Sequence, residues 1–109
     1  MSGTFNADAI ADGTLPTSQT AIYTVPGATD LYLKQLFLFN KNAADQTILV
    51  YLNIGGTARL WRRLVLALNE SADLLEHGET VTLPAGAKIE AMTTTLNAVD
   101  YVITAILET

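Results

Sequence analysis

A phrase that the chain uses twice sets the tightest limit on its fold. Thr24-Val25-Pro26-Gly27-Ala28-Thr29-Asp30-Leu31-Tyr32-Leu33 returns as Thr82-Leu83-Pro84-Ala85-Gly86-Ala87-Lys88-Ile89-Glu90-Ala91. Each copy reads as the end of one strand, a Pro/Gly corner, and the start of a longer alternating strand. Proline restricts φ and glycine opens positive φ, so both corners interrupt regular structure and turn the chain. In the first, Pro26 fits position i+1 and Gly27 position i+2, where a type II turn needs positive φ. In the second, Gly86 falls at i+3, which suits type I. Such corners punctuate compact all-β domains, and no catalytic constellation stands near either one.

The text around the corners is strands. Thr20 to Val25 is a short one. Leu31 to Asn40 is apolar on both faces, with Leu31, Leu33, Phe37 and Phe39 on one and Leu36 and Leu38 on the other. A strand of that kind is buried twice, or covers a partner with its second face. Asn40-Lys41-Asn42-Ala43-Ala44-Asp45 reads as a hairpin loop. Thr47 to Ile54 alternates cleanly, and Gly55-Gly56 marks a turn. Residues 59–68 fit either period: a strand with Leu60, Leu64, Leu66 and Leu68 on one face and Arg62 out of pattern, or a helix with Leu60, Leu64 and Leu68 in line. Strand is preferred because the neighbours are strands. Ser71–Leu75, Thr80–Leu83, Lys88–Thr95 and Val99–Leu107 complete about eight strands. Turn signals at this spacing predict an all-β chain, a single β-sandwich or jelly-roll-like domain over 20–109.

Residues 1–19 differ. Asn6-Ala7-Asp8-Ala9-Ile10-Ala11-Asp12-Gly13 is small and polar, and Thr14-Leu15-Pro16-Thr17-Ser18 is turn-rich. The segment reads as an N-terminal arm, either extended or carrying one helical turn.

Composition narrows the function. Only 16% of the 109 residues are charged, against about 25% in average domains. A chain this short and this apolar carries apolar surface, and large exposed apolar patches mark interfaces, so an oligomer or assembly subunit is expected. The net charge of −5 opposes nucleic-acid binding, which needs a basic footprint. No apolar run is long enough for a membrane-spanning helix, and the start lacks a secretory pattern. With no cysteine, disulfides are excluded.

Catalysis needs a nucleophile with a base, paired carboxylates or a metal cluster. His77 is the one imidazole and sits in Glu76-His77-Gly78-Glu79, a turn whose adjacent side chains converge poorly on a metal. Asp8 and Asp12 lack calcium-loop spacing. Gly55-Gly56-Thr57 lacks the spaced glycines and the lysine of a phosphate loop. No catalytic, cofactor or metal site is expected. The constellation that remains is Arg59-Leu60-Trp61-Arg62-Arg63. On a strand Arg59, Trp61 and Arg63 share a face, and Trp and Arg are enriched at binding hot spots. An arginine stacked on Trp61 would hold such a patch together. Two readings stand: a contact surface, for a protein or less favourably a glycan, or a tryptophan covering the sandwich edge between solvated arginines.

Ala21-Ile22-Tyr23-Thr24-Val25-Pro26, Leu36-Phe37-Leu38-Phe39-Asn40, Thr47-Ile48-Leu49-Val50-Tyr51-Leu52, Leu83-Pro84-Ala85-Gly86-Ala87-Lys88-Ile89-Glu90-Ala91 and Val102-Ile103-Thr104-Ala105 together resemble small virion structural proteins of tailed bacteriophages and prophages. The resemblance covers residues 20–108; the arm has no counterpart in it. It implies a non-enzymatic β-sandwich bound to the virion, foremost a capsid decoration protein on the head, alternatively a neck, tail or fibre component. A carbohydrate-binding jelly roll is the competing class. The resemblance further implies assembly in the bacterial host cytoplasm, a homo-oligomer with a trimer favoured, and the major capsid protein or other virion proteins as partners. Candidate interface residues are then Arg59, Trp61 and Arg63, Tyr32 and Leu38 on the second face of the long strand, and Phe5 and Ile10 on an arm that clamps a neighbour.

Overall fold

All eight strand segments read from the sequence are strands in the computed structural model, which describes residues 8–75 and 79–109. A ninth precedes them. In chain order they are β1 Asp8–Thr14, β2 Thr20–Thr24, β3 Asp30–Asn40, β4 Gln46–Ile54, β5 Thr57–Leu66, β6 Ser71–Asp73, β7 Val81–Leu83, β8 Lys88–Thr93 and β9 Val99–Glu108. No helix occurs among the described residues, so 59–68 lies mostly in strand β5. Residues 8–14, placed in the arm by the sequence, are extended and pair antiparallel with β9.

The strands form two antiparallel sheets, a β-sandwich. One has the order β1-β9-β3-β6, with β7 also paired to β3; the other has the order β2-β8-β4-β5. The short links 15–19 and 67–70 hold β1 beside β2 and β5 beside β6, so β1 and β5 lie on opposite flanks. Between the sheets sit Leu31, Leu33, Leu36 and Leu38 of β3, Ile48 and Val50 of β4, Ile89 and Ala91 of β8, and Val99, Ile103 and Ala105 of β9, all buried. Each fully buried Leu or Ile in such a row stabilises the fold by about 1.5–3 kcal/mol. Phenylalanine is missing from this buried set.

One bulge explains that absence. In β3, Leu33 pairs with Ala105 and Gln35 with Thr104, leaving Lys34 as an extra residue. An inserted residue reverses the facing of everything beyond it. Strict alternation would send Gln35 into the core with Leu31, Leu33, Phe37 and Phe39, or else Lys34 with Leu36 and Leu38. The bulge avoids both by leaving Lys34 exposed and turning four leucines inward. The two-face assignment from the sequence is therefore corrected: Phe37 and Phe39 point outward, and Leu38 is wholly buried.

The two Pro/Gly corners meet in space. Val25 N–H donates to the Ala87 carbonyl (2.8 Å) and Gly86 N–H to the Val25 carbonyl (3.0 Å). In the second corner Ala87 N–H donates to the Pro84 carbonyl (3.1 Å), which puts Pro84 at i and Gly86 at i+2 with φ +82°. That geometry needs positive φ at i+2, as in type II and not type I. In the first corner the turn lies on Gly27 and Ala28, and positive φ falls on Ala28 (56°), not on Gly27. Both corners thus share one frame, with Pro at i and a left-handed residue at i+2.

At the opposite end, two buried amides tie the loops. Asn40 Nδ2 donates to the Leu66 (2.8 Å) and Ala44 (3.0 Å) carbonyls, and its Oδ1 accepts from Asn42 N–H (2.8 Å). Gln46 Oε1 accepts from Thr95 N–H (2.9 Å) and the Thr93 hydroxyl (3.1 Å). Both side chains are fully buried.

Candidate interaction surfaces

The β4–β5 hairpin closes on Gly55 and Gly56, whose φ values of 68° and 89° suit a two-residue type I′ turn. Ile54 therefore pairs with Thr57 and fixes the register of β5. Further along, Tyr51 pairs with Leu60 and Val50 with Arg62, leaving Trp61 as a bulged residue. This splits the expected constellation. Arg59 lies opposite Leu52, in the inner row of β4, whereas Arg63 lies opposite Leu49, in the outer row. Arg59 and Arg63 do not share a face. Trp61 is half-buried against the core, and the arginine stacked on it is Arg62, whose Cζ lies 4.5 Å from the ring centroid. Arg62 Nη1 also donates to the Trp61 carbonyl (3.1 Å). A shallow groove of about 240 Å³ beside it is lined by Leu52, Ile54, Thr57, Arg59, Leu60 and Trp61.

The same bulge turns Leu60 outward, away from Leu64 and Leu66. On the outer face of the β2-β8-β4-β5 sheet, Leu60 lies opposite Tyr51, Val65 opposite Thr47, and Leu49 between Arg63 and Met92. Leu60 is 53% and Val65 50% exposed. On the same sheet Glu90 of β8 lies between Ala21 and Tyr51. Gln19 Nε2 and Asn53 Nδ2 donate to the two oxygens of Glu90 (2.7 and 2.8 Å), and these bonds keep its carboxyl below its ordinary range.

The outer face of the other sheet is aromatic. Tyr32, Phe37 and Phe39 lie opposite Ile106, Val102 and Asp100 of β9, and all three rings are half-buried. The Tyr32 hydroxyl donates to Glu108 Oε1 (2.7 Å), which raises the Tyr32 pKa, with burial and the nearby Glu108 and Asp30 charges adding to it. Of the two residues expected on this face, Tyr32 is present and Leu38 is in the core. Ile10 is the bulged residue of β1 and packs against the core. Phe5, like Glu76, His77 and Gly78, lies outside the described residues.

The residues that sequence reasoning assigned inward and the structure turns outward are Leu60, Phe37 and Phe39. Arg62, out of step with the leucines of its strand, was the mark of the bulge that exposes Leu60. A cleft of about 390 Å³ at the corner end is lined by Ala28, Thr29, Asp30, Ala85, Glu108 and Thr109. Of its two threonine hydroxyls, that of Thr29 donates to the Gly27 carbonyl (3.2 Å), and the Glu108 carboxylate accepts from Tyr32 (2.7 Å).

No protein-family model and no curated protein matches the chain. A solved structure of a pentameric capsid protein isolated from metagenomic phage sequences is similar at 16% identity and a TM-score of 0.43, over 88% of this chain and 59% of that one. The chain thus spans less than two thirds of that protein's length. A likeness this distant carries no argument about function.

Proposed function

We propose that this chain is a non-enzymatic structural protein of a tailed-phage virion, a jelly roll that decorates the head. The observation that carries a binding role is that both sheets hold large apolar side chains on their outer faces as well as their inner ones, among polar neighbours such as Glu90 and Thr104: Leu49, Tyr51, Leu60, Val65 and Met92 on one, Tyr32, Phe37, Phe39, Val102 and Ile106 on the other. A monomer gains nothing from half-exposed Leu60 and Val65, whereas covering them on a partner recovers a share of the roughly 1.5–3 kcal/mol that full burial of each supplies. The virion address rests on the strand and corner motifs that resemble phage structural proteins. The strand order supports the architecture: with β6 and β7 counted as one interrupted strand, two four-stranded sheets cross over as in the jelly rolls of capsids and lectins. The lectin reading is weakened at Trp61, which packs on the core and gives a ring face to Arg62 rather than to a sugar.

The test titrates the purified protein onto expanded heads and onto tails of the phage that encodes it, with a glycan array in parallel. Saturable binding to heads is expected, and Leu60→Glu with Val65→Glu lowers it while the melting temperature holds. Binding to tails alone would move the protein to the neck, tail or fibre. Sugar binding without virion binding would overturn the reading. The arm is tested by deleting residues 1–7 alone, because β1 and the buried Leu15 belong to the sandwich; unchanged head binding would remove the clamp.

A further inference from the structure

The two edge strands β5 and β1 carry charges of opposite sign, and Asp73 of β6, beside β5, is engaged by Gln35 Nε2 (3.4 Å) and Leu75 N–H (3.0 Å). From residue 46 to residue 69 there is no acid, and Arg59, Arg62 and Arg63 all fall on β5. From residue 8 to residue 33 there is no base, and Asp8 and Asp12 both fall on β1. Each strand ends its sheet among the described residues, and the two lie on opposite flanks of the sandwich. The one salt bridge among the described residues, Lys41 to Asp100 at 2.9 Å, uses none of these five charges.

The spacing matches as well. Arg59 and Arg63 straddle the bulged Trp61, as Asp8 and Asp12 straddle the bulged Ile10. Each bulge therefore sends one charge of its pair to each face of its sheet. Arg59 aligns with the inner-row Leu52 and Arg63 with the outer-row Leu49. Asp8 aligns with the inner-row Ala105 and Asp12 with the outer-row Val102. Next to the arginines, Ile54 (48% exposed) and Leu60 offer apolar contact, and the aspartates are separated by Ala9, Ile10 and Ala11, small enough at two of three positions for close approach.

We infer that copies of this chain associate head-to-tail, the arginine flank of β5 on one copy seated against the aspartate flank of β1 on the next. Bulged edges resist direct strand-to-strand hydrogen bonding, so the contact is made by side chains. Because the two surfaces differ and lie on opposite flanks, the interface is heterologous and repeats from copy to copy, closing into a ring or running on as a row. This goes beyond the virion reading and does not depend on it.

Two charge-reversed proteins test it by sedimentation: Arg59→Glu with Arg63→Glu, and Asp8→Lys with Asp12→Lys. The unaltered protein is expected to self-associate, and to do so at least tenfold more weakly in about 0.5 M salt, where charges are screened within a few ångströms. Each reversed protein alone is expected to be monomeric. Mixed in equal amounts they reassociate, since every acidic flank then meets a basic one. An unaltered protein that stays monomeric at low salt, or a mixture that fails to reassociate although both proteins melt normally, overturns the inference. Should a reversed protein fail to fold, Arg63→Cys mixed with Asp12→Cys decides, as the chain has no other thiol: an oxidised dimer that forms far faster in the mixture than in either protein alone supports the contact, and equal rates overturn it. Head binding by a monomer would remove this contact and keep the virion reading; self-association without head binding would do the reverse.

Discussion

The two ends of the sandwich share backbone hydrogen bonds and differ in the buried side chains that only one of them adds. At the corner end, backbone binds backbone: Val25, Gly86 and Ala87 exchange hydrogen bonds between two turns that share a frame. At the other end, backbone bonds such as Asn40 N–H to the Glu70 carbonyl (3.0 Å) and Asn69 N–H to the Asn40 carbonyl (2.8 Å) are joined by side chains, with Asn40 and Gln46 buried among the 40–46, 66–70 and 93–98 loops. Backbone turns depend on what each residue permits locally. Buried amides depend on carbonyls and N–H groups that arrive from far along the chain, and they become costly when one partner is lost.

The largest effect should come from the amide end. Asn40→Ala takes the Nδ2 donor from the Leu66 and Ala44 carbonyls, the second keeping only Gln46 Nε2 at 3.4 Å, and leaves Asn42 N–H without its acceptor, so chemical denaturation should show a loss of about 2–4 kcal/mol. A loss under about 1 kcal/mol would mean that water replaces the amide, and the contrast between the ends would fail. Next comes Gly86→Ala, which forces a Cβ into φ +82° with open space around it; strain alone should cost about 1 kcal/mol. Gly27→Ala, at a position without positive φ and with nothing within 4 Å of the new Cβ, should be neutral or slightly stabilising. Equal effects at the two glycines would break the assignment of the turns.

A smaller change tests the shared frame in the opposite direction. Ala28 occupies the left-handed position that Gly86 fills in the other corner (φ 56°), so Ala28→Gly should stabilise by about 0.5 kcal/mol, strain relief being partly offset by the freer unfolded chain. A melting temperature that falls would show that Ala28 is not strained. The smallest effect is on Glu90, on the sheet between the two ends. Its carboxyl is held below its ordinary value of about 4.5 by hydrogen bonds from Gln19 and Asn53. The stability it adds is present above that value and is lost as pH falls through its lowered pKa. Glu90→Gln should flatten a shallow acid-side decline in stability, shallow because the group is largely solvated. A curve that keeps its slope would assign the decline to other carboxylates.

Much of the fold was legible because strand alternation and turn chemistry are local. Thr47–Ile54 alternates without a fault, Gly55-Gly56 closes its hairpin, and both Pro/Gly corners stand where the chain turns. β1 was harder to read. Asp8-Ala9-Ile10-Ala11-Asp12 has small residues and carboxylates four apart, a pattern that suits a helical turn, and only β9 lying alongside makes it a strand. The candidate surface was legible in composition but not in placement. Arg59, Trp61 and Arg63 were visible as binding residue types, yet their shared face was lost to one extra residue.

By themselves, the residues of this chain determined an all-β domain, the sites of its turns, and a surplus of apolar side chains over what one small core can hold. The tertiary structure alone decided which of those side chains stay outside. Lys34 and Trp61 become bulges because their partner strands pair on either side of them, and each bulge reverses the facing of the residues beyond it. Phe37, Phe39 and Leu60 face outward for that reason, while Leu36 and Leu38 complete the core. Facing is a property of a paired strand, and a bulge exists only in the pairing.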